Sequence, residues 1–357
     1  MIKNKNFQII AEIGVNHNGK IELAKKLILK AKLAGANFAK FQIFKSELLV
    51  SKKAKMAKYQ KKNLKYKNNS QLNLLKKLEL NYKQLSELKQ YCKKKKIKFL
   101  LSVFDTTSLD FALKNLNEKI IKIPSGEINN FELLKKINIK KVKVFLSTGM
   151  SNMKEIVDAV NILAKKKIYL KDNKNYKIID KKVFEIFKKN LIIMHCVTDY
   201  PVDYRYANLN AIKTLKEKLK LNIGYSDHTN GILAPIIAKQ LGAVLIEKHF
   251  TLNKNFQGPD HKASLDFFEF RLMCESVKNI NLVYGNGLKK IQKCEIGNSK
   301  VARKSIVVIK KIKIGDKFSF KNLGFKRPGY GIKPSEISKF IGKKSKRTYK
   351  IDDLLIK

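Results

Sequence analysis

Eight short apolar runs, separated by longer segments of helical periodicity, constrain the fold of this 357-residue chain more than any other feature. Most are continuous stretches of β-branched and apolar residues, as strands buried on both faces are. The segments between them carry apolar residues three or four positions apart, as at 21–36 and 152–166. The runs lie at residues 7–14, 38–44, 99–104, 120–125, 142–148, 191–196, 222–227 and 244–250. This alternation predicts an α/β fold, a (β/α)8 TIM barrel, with an open doubly wound sheet as the alternative.

Two segments interrupt the alternation, and the pattern changes near Gly285. Residues 45–70 form a long lysine-rich stretch after the second run, which we interpret as a loop that acts as an active-site lid. Residues 165–190 precede the sixth run and are expected to be a surface elaboration. The last 60 or so residues carry short β-like runs and turns. The predicted organisation is a barrel domain at 1–284, a linker at 285–297 and a small β-rich domain at 298–357.

The formal net charge of +48 arises from 77 lysines and arginines against 29 acidic residues. Such a charge commonly indicates a nucleic-acid or membrane partner. The planar guanidinium that favours phosphate and base recognition is scarce here, because only five of the cations are arginines: Arg205, Arg271, Arg303, Arg327 and Arg347. The lysines also occur in every segment rather than on one arm. We therefore predict no nucleic-acid and no membrane partner, and attribute the lysine content to codon bias.

The four cysteines, Cys92, Cys196, Cys274 and Cys294, show no CxxC spacing. A structural zinc site and a disulfide framework are therefore not expected. The apolar stretch near the start of the chain is short and is interrupted by Glu12, which argues against a signal peptide or a membrane span. A cytoplasmic location is the simplest expectation.

Polar side chains occur at the end of all eight runs. In a (β/α)8 barrel the carboxyl ends of the strands form the rim of the active site, so these side chains are expected to converge. Lysines and serines suit a phosphate and a carboxylate, and two histidines on neighbouring strands suit a divalent metal. The polar residues are Glu12, Asn16, His17, Lys40, Gln42, Ser102, Lys122, Ser125, Glu127, Ser147, Thr148, His195, Asp227, His228, Glu247, Lys248 and His249.

The sequence blocks around these residues resemble those of the bacterial N-acetylneuraminate (sialic acid) synthases. The similar blocks are AEIGVNHNG (11–19), KFQIFK (40–45), KIPSGEINN (122–130), LSTGMS (146–151), HCVTDYP (195–201), IGYSDHT (223–229), IEKHFTL (246–252) and GPDHKASL (258–265). In the tail, VARKSIVV (301–308) and KRPGYGI (326–332) are similar to the family's antifreeze-like (SAF, β-clip) domain. The resemblance covers nearly the full chain and implies a TIM barrel followed by that domain.

The resemblance also implies roles for individual residues. It assigns phosphoenolpyruvate binding to Lys40, Lys122, Ser125, Ser147 and Ser102. It assigns catalysis to Glu12, Glu127, His195 and His228, and makes His195 and His228 the ligands of Mn²⁺ or Mg²⁺. It assigns sugar binding to Gln42, Asn63, Asp227, Asp260 and Arg327, with Arg327 supplied by the partner subunit of a domain-swapped homodimer.

The implied reaction joins phosphoenolpyruvate, an N-acylated hexose and water to give a nine-carbon 2-keto sugar acid and phosphate. N-acetylmannosamine, giving N-acetylneuraminate, is the first expectation. A diacetamido-trideoxy hexose, giving a legionaminate- or pseudaminate-type product, is the alternative. From the residues alone, a Schiff-base aldolase using Lys122 or Lys248 and a nucleic-acid-binding protein also stay open.

Overall fold

The computed structural model describes residues 7–64, 70–173 and 175–356. The chain divides into two compact units, Met1–Gly285 and Asn286–Lys357. The strands are β1 Gln8–Gly14, β2 Phe38–Ile43, β3 Lys98–Val103, β4 Ile120–Ile123, β5 Lys143–Ser147, β6 Tyr169–Asp172, β7 Asn175–Ile178, β8 Leu191–Cys196, β9 Asn222–Asp227, β10 Leu245–His249, β11 Ser305–Val308 and β12 Leu323–Lys326. The α-helices are α1 Ile21–Leu33, α2 Ser46–Leu49, α3 Lys58–Leu64, α4 Gln71–Leu78, α5 Tyr82–Lys94, α6 Thr106–Asp110, α7 Phe131–Lys136, α8 Met153–Ala164, α9 Lys181–Asn190, α10 Ala211–Leu219, α11 Leu233–Gln240, α12 Phe267–Tyr284 and α13 Glu295–Ala302.

Eight parallel strands of the first unit close into a barrel in the order β1-β10-β9-β8-β5-β4-β3-β2. Each strand coincides, within two residues at either end, with one of the eight apolar runs of the sequence. The strands are joined by helical connections, as parallel neighbours require. The predicted (β/α)8 fold is confirmed, and the open doubly wound sheet is excluded by the closure.

The two faces of the barrel strands pack differently. Outward side chains join the helices in one large core, which includes Ile9, Ala39 and Leu101. Inward side chains form a separate apolar cluster of Ile10, Phe38, Leu100, Phe145, Ile192, Met194 and Leu245. Because side chains alternate along a strand, the residue two positions later points into the same interior, one layer nearer the carboxyl ends. That position is polar on strand after strand, as in Glu12, Lys40, Ser102, Ser147 and Glu247.

Several outer helices begin with side-chain caps. At α8, the Asn152 side chain accepts a hydrogen bond from the Glu155 backbone N–H at 3.1 Å, and the Glu155 carboxylate accepts from the Asn152 N–H at 2.8 Å. Reciprocal capping of this kind satisfies two backbone donors that a helix start leaves unpaired. The buried face of α8, which includes Ile156, Val160 and Leu163, then packs on the barrel.

The two segments that interrupt the alternation are partly ordered. Residues 45–70 are not one loop, because they contain α2 and α3 and a β-bridge between Lys55 and Ser70. Glu79 is the residue directly after α4. Its carboxylate accepts hydrogen bonds from the Ser46 N–H at 2.9 Å and the Ser46 hydroxyl at 2.6 Å. These bonds tie α4 to the start of α2. Residues 165–190 form the β6–β7 hairpin and α9.

The second unit is a small β-rich fold. Strands β11 and β12 pair antiparallel around a core that includes Ile306, Phe318, Leu323 and Tyr349. Helix α13 begins within the segment predicted as a linker and belongs to this unit. Across the described ranges, neither unit contains a helix that is both long and apolar enough to cross a membrane.

Candidate active site

A cavity of about 320 Å³ lies at the carboxyl ends of the barrel strands. This is the position at which (β/α)8 enzymes carry their active sites. Its lining includes ten of the residues to which the sequence resemblance assigned a role: Glu12, Lys40, Gln42, Ser102, Lys122, Ser125, Glu127, Ser147, His228 and Asp260. The strand order therefore brings together residues that are up to 248 positions apart, as the separation of Glu12 and Asp260 illustrates.

Four buried charges form a network on the deep side of this cavity. The ammonium group of Lys40 pairs with the Glu12 carboxylate and lies 3.7 Å from Glu247 Oε1. The ammonium group of Lys122 pairs with Glu247. Ser102 accepts a hydrogen bond from Lys40 at 2.8 Å. Because each of the four charged side chains is almost wholly shielded from solvent, their mutual attraction is strong and holds them in fixed positions.

Burial and charge act on these four groups in opposite senses. Burial would raise the pKa of Glu247, but Lys122 and Lys40 outweigh it and lower the pKa to about 2. Burial lowers the pKa of Lys40, but Glu12 and Glu247 outweigh it and the pKa is raised. For the other two groups burial dominates, so the pKa of Glu12 is raised and that of Lys122 is lowered. The network therefore keeps the charged ammonium of Lys40 in a solvent-shielded part of the cavity, which suits the binding of an anionic ligand.

Serine and glutamate side chains lie beside this network. The Ser147 hydroxyl is buried and has no hydrogen-bond partner among the described residues. Because a buried hydroxyl without a partner is costly, it is available to a ligand. Ser125 Oγ accepts from the Gly149 N–H at 3.0 Å, and Glu127 accepts from the Asn130 side-chain amide at 2.7 Å. Burial raises the pKa of Glu127.

Two histidines face each other across the cavity lining. The ring centroids of His228 and His249 are 5.3 Å apart. His228 Nδ1 donates a hydrogen bond to the Val197 carbonyl at 2.7 Å, which leaves Nε2 as the basic nitrogen. His249 Nδ1 is buried without a hydrogen-bond partner among the described residues and lies 3.7 Å from Asp260 Oδ2. Burial and the nearby Glu12 raise the pKa of Asp260 to about 7.

The structure corrects the predicted metal pair, because His195 does not line this cavity. On β8, Met194 points inward with the inner apolar cluster, so His195 points outward. Its ring stacks on Tyr225 with centroids 5.7 Å apart, and its Nε2 lies 2.9 Å from the Ala207 carbonyl. The partner of His228 in the cavity is therefore His249.

Asp227, predicted to bind the sugar, is also on the outer face. It pairs with Lys248 at 2.5 Å and accepts hydrogen bonds from the Tyr225 hydroxyl at 2.8 Å and the Thr229 N–H at 2.9 Å. Both Asp227 and Lys248 are fully shielded from solvent and neither lines the cavity. Their position makes this a structural ion pair, and it removes Lys248 as a Schiff-base candidate.

Three further predicted sugar contacts lie in different places. Gln42 is inside the cavity and donates to Glu12 Oε1 at 3.2 Å. Asn63, on α3, donates its side-chain amide to the Pro259 carbonyl at 2.7 Å, next to Asp260 of the lining. Arg327 lies in the second unit, directly after β12.

Some lining residues had no predicted role. Tyr59, Cys196, Tyr200 and Ser226 were not among the candidates from the sequence, and Glu247 and His249 were expected at the rim without an assigned role. Strand parity could have found the strand residues among them, since Glu247 and His249 follow the inward Leu245 at steps of two. The two tyrosines come from α3 and from the segment after β8, and their rings pack 4.8 Å apart. No sequence pattern indicates that contact.

The histidine pair fits a divalent cation only as a partial ligand set. Within the described ranges, no group of three or more histidine, cysteine, aspartate or glutamate side chains is arranged to hold a metal. His228 and His249 can supply two neutral imidazoles, and the unpartnered buried Nδ1 of His249 is what such a site requires. The other coordination positions would be left to water and substrate oxygen.

Comparison with known proteins gives one consistent result. A sequence model of the NeuB family matches residues 27–289, and one of the SAF domain matches residues 303–355. The chain is 45% identical to an N,N'-diacetyllegionaminic acid synthase of Campylobacter jejuni, over 98% of this chain and 99% of that protein. It is 39% identical to the protein of that name from Legionella pneumophila, over 94% and 89%. The crystal structure of an N-acetylneuraminic acid synthetase from Leptospira borgpetersenii has a TM-score of 0.66 at 34% identity, covering 83% of this chain and 90% of that one.

Proposed function

Because this chain belongs to the NeuB family of sialic-acid-type synthases, we propose that it condenses phosphoenolpyruvate with the open-chain aldehyde of an N-acylated hexose. The products are a nine-carbon 2-keto sugar acid of surface polysaccharide biosynthesis and inorganic phosphate. The observation that carries the proposal is the buried pair Lys40 and Lys122 beside the unpartnered Ser147 hydroxyl, at the deep end of the barrel cavity. Such a set of donors suits a small, highly charged anion.

The reaction forms one carbon–carbon bond and consumes one water. C3 of phosphoenolpyruvate attacks the aldehyde carbon, and the aldehyde oxygen gains a proton. The cationic C2 that results takes up water, which gives up a proton. The tetrahedral intermediate then loses phosphate together with the C2 hydroxyl proton, and the ketone forms.

Residues of this chain can assist each of these stages. Lys40, Lys122 and Ser147 would hold phosphoenolpyruvate through its phosphate and carboxylate. Glu127, whose pKa is raised by burial, would stabilise the cationic C2 and take the proton from the attacking water. Glu12 would face the sugar and the reacting carbons. A divalent cation bound to His228 and His249 would polarise the aldehyde oxygen as a Lewis acid.

For the sugar, the similarity favours the alternative over N-acetylmannosamine. The two relatives at 45% and 39% identity, each matched over most of its length, are named for N,N'-diacetyllegionaminic acid. We therefore propose a 2,4-diacetamido-2,4,6-trideoxy hexose as the substrate. The test is phosphate release from phosphoenolpyruvate with this sugar and with N-acetylmannosamine, each with added Mn²⁺ and with chelator. The proposal would be overturned if no phosphate were released with either sugar.

A Schiff-base aldolase is the rival mechanism, and it now depends on Lys122 alone. The ammonium of Lys122 is paired with Glu247 on the floor of the cavity, where we propose that it binds the anionic substrate instead of forming an imine. Borohydride reduction in the presence of substrate separates the two mechanisms. We expect no covalent adduct by mass spectrometry, and an adduct on Lys122 would establish the aldolase.

We further propose, as the family resemblance implies, a domain-swapped homodimer in which Arg327 of the second unit reaches the partner's cavity. An Arg guanidinium can donate to an acyl carbonyl of the sugar. Co-expression of the inactive variants Glu127→Gln and Arg327→Ala should restore part of the activity, since one site in each heterodimer would be intact. No gain over the two parents, with heterodimers verified by mass, would refute the swap.

A further inference from the structure

One wall of the cavity is hydrocarbon and does not come from the barrel strands. It consists of Leu49 and Val50 at the end of α2 and Leu74, Leu75 and Leu78 on α4. We call these five residues the leucine wall. Both helices belong to the connection between β2 and β3, which leaves the barrel at the carboxyl ends of the strands. The leucine wall therefore lies on the solvent side of the charged floor formed by Lys40, Lys122 and their carboxylates.

The helices that carry the leucine wall are fixed to one another. Glu79, directly after α4, accepts hydrogen bonds from the Ser46 N–H and hydroxyl, and its other oxygen accepts from the Lys45 ammonium at 3.0 Å. Three charge-assisted bonds between the two helices hold the leucine side chains in register. A preformed apolar surface of this kind discriminates between ligands, because it does not rearrange to serve an added polar group.

Amide groups lie at the edge of the same wall. Gln60 on α3 and Gln71 on α4 also line the cavity. The Gln60 side-chain oxygen accepts from the Ala57 N–H at 3.0 Å, and its side chain also hydrogen-bonds Tyr59, which holds the amide at the cavity edge. The outer end of the cavity thus combines apolar surface with amide donors. This surface is complementary to a deoxygenated, N-acylated carbon chain, which presents methyl groups and amide carbonyls. It provides few hydrogen-bond partners for a chain that carries a hydroxyl on every carbon.

We propose that the leucine wall is the element that selects the sugar, by receiving the C6 methyl group and the outer acetamido methyl of a 6-deoxy substrate. This inference rests on the proposed function. The aldehyde end of the sugar must meet phosphoenolpyruvate on the charged floor, so C4 to C6 point toward the wall. A methyl group gains burial there, whereas a C6 hydroxyl loses water without finding a partner among the leucines.

The experiment compares matched leucine-to-asparagine variants. Leu75→Asn and Leu49→Asn place an amide in the wall. Leu48→Asn, on the same helix α2 but 62% exposed and outside the cavity lining, is the control. The measured quantity is the ratio of kcat/KM for the trideoxy sugar to that for N-acetylmannosamine, from phosphate release.

We expect wild-type protein and Leu48→Asn to share a ratio that favours the trideoxy sugar. In Leu75→Asn and Leu49→Asn the ratio should fall about tenfold or more, the scale on which apolar pockets discriminate single groups. The KM for phosphoenolpyruvate should stay unchanged in all four proteins. Leu75→Met, which keeps the wall apolar, should keep the wild-type ratio and also serves if the asparagine variants do not fold.

Unchanged ratios in both wall variants, with phosphate still released, would overturn the role of the leucine wall and leave the proposed function intact. A wild-type preference for N-acetylmannosamine would overturn both the role of the leucine wall and the proposed trideoxy substrate, and would leave only the condensation reaction intact. Absence of phosphate release with either sugar in the wild-type protein would instead overturn the proposed function itself.

Discussion

The barrel contains two buried networks of lysine and carboxylate, one on each face of its strands. Inside, Lys40 and Lys122 pair with Glu12 and Glu247 and line the cavity. Outside, Lys248 pairs with Asp227 between the strands and the surrounding helices. The chemistry of the residues is the same and the solvent exposure is similar, so neither feature tells a ligand site from a structural bond.

The two networks differ in whether their buried polar atoms all have hydrogen-bond partners. Asp227 has its lysine, a tyrosine hydroxyl and a backbone N–H, and Lys248 also donates to the Thr229 carbonyl. The inner network leaves Ser147 and His249 nearby with unpartnered buried atoms. Both polar groups of the Asp227–Lys248 pair have partners, although the Thr229 hydroxyl beside the pair has none in the described part of the chain, whereas the inner network leaves Glu247 Oε2 itself without a hydrogen-bond partner there. Complete bonding of the outer pair is typical of a structural contact, and the unpartnered atoms of the inner network favour a binding site there.

Variants in the two networks test this comparison. The largest expected effect is a loss of unfolding free energy on disrupting the outer pair. Lys248→Met leaves Asp227 buried without its cation, and loss of one partner of a buried pair costs about 3–5 kcal/mol of unfolding free energy. Urea unfolding measures it, with the double variant Lys248→Met/Asp227→Asn as a control that should recover part of the loss. A Lys248→Met protein as stable as wild type but inactive would place Lys248 in the function instead.

The histidines give the next largest effect, on catalysis. His228→Ala and His249→Ala should each lower kcat/KM at least about 100-fold, since each removes a proposed ligand of the polarising cation. His195→Ala, on the outer face, is the matched control and should keep most of the activity of its folded fraction. Mn²⁺ binding measured by electron paramagnetic resonance provides a readout that does not depend on turnover. Loss of Mn²⁺ binding in His195→Ala and His228→Ala, but not in His249→Ala, would restore the pair predicted from the sequence.

Lys122→Ala should have a smaller and more selective effect. A lost charged contact to phosphate is worth about 2 kcal/mol, so the KM for phosphoenolpyruvate should rise about 30-fold. The KM for the sugar should change far less. Equal changes for both substrates in steady-state kinetics would show that Lys122 does not hold the phosphate.

The smallest effect concerns pH and Glu127, at the half-exposed edge of the inner site. Burial raises the pKa of Glu127 in the folded protein above its value in the unfolded chain. Its contribution to stability is therefore fully present below the ordinary pKa of glutamate and is lost as the pH rises through the folded value. Glu127→Gln should remove this dependence, an effect that solvent screening keeps below about 1 kcal/mol. Urea midpoints of both proteins, measured across acidic pH, test it, and parallel curves would contradict it.

Much of this fold could be predicted because both faces of the barrel strands are apolar and bounded by helical segments. Because both faces are apolar, however, the sequence does not indicate which face of a strand points into the barrel. In LIIMHC (191–196) every position before the histidine is apolar, so the sequence does not indicate that Met194, rather than His195, faces the interior. Asp227 was misplaced for a different reason: Ser226, Asp227 and His228 are consecutive polar residues, so the sequence does not indicate which of them face the interior.

Other parts of the site depend on contacts between distant segments. The stacking of Tyr59 on Tyr200 and the hydrogen bond from Asn63 to Pro259 join α3 to segments more than 100 residues away. Asn63 was predicted from the family resemblance, which carries such information, whereas Tyr59 has no local signal. The helices α2 and α3 were read as a loop because each is two turns or shorter, too brief for a periodic pattern to appear.

The inner apolar cluster beneath the charged floor, where the Phe38 and Phe145 rings meet edge to face, closes the barrel from below. On the proposed function, both substrates, the water and both products would share the opening at the carboxyl ends of the strands. The ligand held by Lys40 and Lys122 would then occupy the bottom, and a sugar against the leucine wall would lie across its way out. Binding and release would be ordered by depth: phosphoenolpyruvate would enter before the sugar, and phosphate would leave only after the new sugar acid has moved aside.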